Sequence, residues 1–75
     1  MEQIICHYWN EELKIALADV KTAYLLDSGW TLLKTEVYKG LLVYRLPGSS
    51  KRFSYNRVKE KLIKKKIVIS VHLPF

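Results

Sequence analysis

Three side chains in this 75-residue sequence are of nucleophile or metal-ligand type: Cys6, His7 and His72. Structural metal sites draw on several Cys and His residues at short, recurring spacings, and no such spacing occurs here. Neither a metal centre nor a bound cofactor is expected. Neighbours along a strand point to opposite faces, so Cys6 and His7 should divide between core and solvent instead of forming a catalytic pair. His7 and His72 meet only if the first and last strands are neighbours, in which case they offer an acid and a base for RNA cleavage. Glu11, Glu12 and Asp19 read as partners of a helix dipole and as helix surface, not as a paired-carboxylate site. Gly29, Gly40 and Gly48 are isolated, so there is no glycine-rich phosphate loop. The chain is expected to be non-enzymatic.

Charge is the stronger signal. Up to position 37 there are three basic and six acidic residues, a balance of −3; from position 38 there are ten basic residues and one acid, Glu60, a balance of +9. An asymmetry of this kind points to a polyanionic partner. On a helix advancing 100° per residue, Arg57, Lys61 and Lys64 fall within an arc of about 60°, opposite Val58 and Leu62. Lys51 and Arg52 lie in the segment that feeds that helix, and Lys65 extends it. Lys51, Arg52, Arg57, Lys61, Lys64 and Lys65 are therefore the expected phosphate contacts of a small basic nucleic-acid-binding or regulatory protein. Tyr44, Phe53 and Tyr55 lie among these cations, where exposed rings could stack on unpaired bases. Nothing in the sequence ranks DNA above RNA.

The elements that must carry these residues are read from periodicity and punctuation. Residues 3–9 are β-branched and aromatic and stop at Asn10, which predicts a strand followed by a helix cap. Leu13, Ala16, Leu17, Val20, Ala23 and Tyr24 recur at helical spacing, and Gly29 is placed to end that first helix. Trp30–Tyr38 and Leu41–Leu46 read as a hairpin turning at Lys39-Gly40. Pro47-Gly48-Ser49-Ser50 is a turn, Lys51–Ser54 a short strand, and Ser54 the cap of a second helix running from Tyr55 to about Lys65. The β-branched tail from Ile67 to Leu73 closes the chain.

The order β-α-β-β-(β)-α-β predicts one α+β domain over residues 1–75: a sandwich of two helices packed on one face of a mixed four- or five-stranded sheet. The first helix has more apolar surface than one contact with a sheet requires, with Ile15 and Leu26 at nearly the same angle. A protein partner or a second copy of the chain is the alternative occupant, docking through Ile15 and Leu26, which makes an interaction module or inhibitor the second functional reading. A single cysteine excludes an internal disulfide. Apolar runs of four or five residues are far short of a membrane span, and Met1-Glu2-Gln3 lacks the basic start of a signal peptide. A cytoplasmic setting without membrane association is expected.

Overall fold

A computed structural model describes residues 2–71. It contains seven strands and one short helix: β1 (Glu2–Asn10), β2 (Ile15–Asp19), β3 (Thr22–Leu26), β4 (Trp30–Tyr38), β5 (Leu41–Arg45), β6 (Arg52–Ser54), α1 (Tyr55–Glu60) and β7 (Leu62–Val71). All neighbouring strands pair antiparallel, in the order β6-β5-β4-β3-β2-β1-β7. The expected sandwich of two helices on a four- or five-stranded mixed sheet is thereby overturned. The first helix does not exist, and the second is six residues long.

The segment expected as the first helix is the β2–β3 hairpin. Its turn is held by the Asp19 side chain, whose Oδ1 accepts from the backbone amides of Lys21 (2.7 Å) and Thr22 (2.9 Å). Ile15, Leu17, Ala23 and Leu25 face one side and Ala16 and Tyr24 the other, all of them buried. A strand covered on both faces loses the alternation of apolar and polar residues that marks a half-buried strand. The continuous run Ile15-Ala16-Leu17-Ala18 thus satisfies helical spacing without being helical. Asn10 remains a point of punctuation, but of a turn. Its Oδ1 accepts from the Leu13 amide at 2.8 Å, and its Nδ2 donates to the Val58 carbonyl at 2.6 Å, so one fully buried side chain ties the start of the chain to α1.

Because β6 and β7 are the two edges of the sheet, the order of strands dictates its curvature. A flat seven-stranded sheet would hold its edges about 29 Å apart, at about 4.8 Å per strand. The single helix between them spans only about 9 Å. The sheet must coil, and β4 shows where: Trp30–Leu33 pair with β3, whereas Lys34–Tyr38 pair with β5. The coil encloses a first cluster of Ile15, Leu17, Ala23, Leu25, Leu33, Tyr44, Phe53 and Val58, with α1 covering it. The Tyr44 hydroxyl donates to the Val20 carbonyl at 2.8 Å and the Thr35 hydroxyl to the Lys21 carbonyl at 2.8 Å, binding the β4–β5 half to the β2–β3 turn.

A second cluster lies on the opposite face of the same hairpin. β2 pairs with β1 only from Tyr8 to Asn10, whereas β1 pairs with β7 from Glu2 to Asn10. Residues 2–6 and 67–71 therefore form a two-stranded ribbon extending past β2. Between Cys6 and Tyr8 the register slips, two steps in β1 matching three in β7, which sets Lys65 and Lys66 against His7. Ile4, Cys6, Ile67 and Ile69 from the ribbon pack with Trp9, Ala16, Ala18 and Tyr24.

The remaining elements follow their local signals. Lys39 and Gly40 both have positive φ (52° and 76°), the backbone of a tight hairpin turn. Gly48 follows Pro47 with φ 76°, and the Ser49 amide donates to the Leu46 carbonyl at 3.0 Å. Ser54 caps α1 through its Oγ, which accepts from the Arg57 amide at 3.2 Å. The chain leaves α1 at Lys61, since Leu62 pairs with Asn10 and begins β7. Pairing with β1 overrides the helical tendency of the lysine run 64–66.

Candidate nucleic-acid interface

The segment β6–α1–β7 bridges the two sheet edges and carries the positive charge. Between positions 51 and 66 it holds eight basic residues and one acid, Glu60. The cations are exposed but do not form the single helical face expected of Arg57, Lys61 and Lys64. Arg57 is on α1, Lys61 terminates it, and Lys64 and Lys65 are in β7.

These residues also differ in how far they are neutralised. Arg57 (3.5 Å) and Lys61 (2.6 Å) both reach the Glu12 carboxylate. The Lys61 hydrogen bond holds the Glu12 carboxyl below its ordinary range, and Glu12 in turn raises the Lys61 ammonium. Among the described residues, Lys51, Arg52, Lys59, Lys64, Lys65 and Lys66 take part in no ion pair. Arg52 lies over the Tyr38 ring, 4.1 Å from its centroid, with Lys39 at 5.3 Å, and Lys51 lies 5.0 Å from the Phe53 centroid. Arg52 is also the end of a cross-strand row, Lys34-Arg45-Arg52. Arg45, the middle of that row, binds Glu36 two positions along β4 from Lys34 and holds its carboxyl low. Lys65 stands 6.0 Å from the centroid of Trp9, with Lys14 at the same distance.

Between α1, the β2–β3 turn and the β1–β7 pair lies a cleft of about 590 Å³. Leu17, Ala18, Val20 and Leu62 give it an apolar lining, beside Tyr8, Tyr55, Lys59 and Lys64, with Asp19 at the β2–β3 turn. Tyr8 and Lys64 are direct cross-strand partners, which sets an aromatic and a basic residue side by side on the sheet. Tyr55 meets Tyr44 edge to face, with centroids 6.4 Å apart. Of the three rings expected among the cations, Tyr44 and Phe53 are core residues and Tyr55 alone lines this cleft. Tyr8 and Lys59 escaped the sequence reading because their neighbours in space are distant in sequence.

The residues expected to dock a partner are separated. Ile15 is fully buried (0% exposed) and faces the first cluster, while Leu26 is on the opposite face of the hairpin beside Trp30. With no first helix and with Ile15 in the core, that docking surface does not form. Of the catalytic candidates, Cys6 and His7 divide between core and solvent. Cys6 is buried, which raises its thiol pKa and keeps it a poor nucleophile, and His7 is exposed at the bulge. His72 lies outside the described residues, as do the last residues of the expected tail. Among the described residues no group of three His, Cys, Asp or Glu side chains is placed to hold a metal. Nor, among the described residues, is any helix long and apolar enough to cross a membrane. No family model matches the chain, and no curated protein or solved structure is significantly similar to it.

Proposed function

We propose that this chain is a small non-enzymatic protein that binds nucleic acid through the phosphate backbone, using the β6–α1–β7 strip. The observation that carries the reading is the separation of neutralised from free cations. Glu11, Glu12 and Glu36 are each bound by nearby basic groups, whereas Lys51, Arg52, Lys59, Lys64, Lys65 and Lys66 stay exposed without carboxylate partners among the described residues. Cations arranged this way release condensed counterions when they meet a polyphosphate, which is the main source of sequence-independent affinity. Arg57 and Lys61 contribute less while Glu12 holds them.

Fluorescence anisotropy of a labelled oligonucleotide across a salt series tests the assignment. Log affinity should fall linearly with log salt, and Lys64→Ala with Lys65→Ala should reduce the slope by about 1.6, at about 0.7 to 0.9 per phosphate contact. Absence of binding at about 50 mM salt, or an unchanged slope in the double variant, would overturn it.

A further inference from the structure

We infer that the cleft beside α1 seats an unpaired base, so that the protein selects single-stranded over duplex nucleic acid. The inference rests on the phosphate-binding reading above and adds a second kind of contact to it. An unpaired base presents a π-face with phosphates at a fixed distance along the strand, so a site for it combines an available ring with cations at its margin. The Tyr8 ring meets this description. It is 44% exposed and lines an open cleft, and the ammonium-bearing Lys64 is its direct cross-strand neighbour. Lys59 adds a second cation to the lining of the cleft, from α1.

The apolar lining of Leu17, Val20 and Leu62 offers contact to a base edge, and about 590 Å³ falls within the range of sites that accept small ligands. Asp19 is the one acid in the lining of the cleft. Its carboxylate is anchored at the β2–β3 turn through the amides of Lys21 and Thr22, and it repels a phosphate from that side. Bases in a duplex are already stacked and paired, so duplex can use only the lysines.

The test compares a single-stranded oligonucleotide with a duplex of equal length, and a strand carrying abasic sites with an intact one. The wild-type protein should bind the intact strand more tightly than either the duplex or the abasic strand. Tyr8→Ala should weaken intact-strand binding by about tenfold, leaving the duplex affinity and the salt slope unchanged, whereas Tyr8→Phe should retain the strand preference. Equal affinity for intact and abasic strands, which requires no variant protein, would overturn the base-seating site while leaving phosphate binding in place. Equal losses on strand and duplex in Tyr8→Ala would do the same. Failure to bind any of the three would remove both readings together.

Discussion

From Ile15 to Ala18 the β2–β3 hairpin carries no charge and lies between two hydrophobic clusters, whereas from Lys51 to Lys66 the chain carries eight basic residues, most of them solvated. The hairpin has both faces covered because two different layers pack on it: the β4–β6 half with α1 on one side and the β1–β7 ribbon on the other. The basic strip has no such second layer and contributes few side chains to the interior, chiefly Phe53 and Val58. Stability and charge are thus assigned to different stretches of the same chain. Substitutions should separate them.

The largest effect is expected from Leu33→Ala, at the point where β4 passes from one half of the sheet to the other. Leu33 is almost wholly buried in the first cluster, and its truncation should cost about 2 to 5 kcal/mol in urea unfolding. The salt slope for oligonucleotide binding should be unaltered; a changed slope would break the division between core and strip. A smaller effect is expected from Tyr44→Phe, which deletes the hydrogen bond to the Val20 carbonyl and should cost about 1 kcal/mol. Burial pushes the Tyr44 phenol up to about 12. Its folded value lies above the ordinary tyrosine value of about 10, so the associated stability is fully present below that pH and is lost as pH rises through the folded value. Unfolding at neutral and alkaline pH should therefore show a shallower alkaline decline in Tyr44→Phe than in wild type, and equal declines would assign the loss to other groups.

The smallest effect sharpens the comparison within the strip itself. Glu12→Gln releases Arg57 and Lys61 and should strengthen oligonucleotide binding a few-fold with a steeper salt dependence. Because the Glu12 carboxyl is held low, its stabilising contribution is present above the ordinary glutamate range and fades as pH falls through the folded value, so the variant should also be less sensitive to acid. Weaker binding in this variant would mean that Glu12 positions the two cations for the ligand instead of competing with it.

What was legible in the sequence follows the same division. Features decided locally were readable: the Lys39-Gly40 turn, the Pro47-Gly48 turn, the Ser54 cap and the β-branched start of β1 all depend on residues within a few positions of one another. Gly29, expected to end a helix, belongs instead to the β3–β4 connection, with φ 125°. The central hairpin was misread because burial on both faces removes its period, and nothing local distinguishes Ile15-Ala16-Leu17-Ala18 from a buried helix. The second helix was drawn too long because pairing with β1, contributed by the opposite end of the sequence, converts residues 62–71 to strand. At the candidate site the excess of cations was visible, but their partition was not. Glu12 is remote in sequence from Arg57 and Lys61, and Tyr8 is equally remote from Lys64.

The ribbon that covers Trp9, Ala16 and Tyr24 pairs Cys6 with Ile67, about 60 positions apart. A chain synthesised from its N-terminus can form the β2–β3 and β4–β5 hairpins as each emerges, yet the second face of the central hairpin stays uncovered until β7 arrives. Until β7 pairs with β1 the hairpin therefore presents an apolar, aromatic surface to its surroundings, and the time at risk of misassociation is set by that long-range pairing, not by the speed with which the hairpins close.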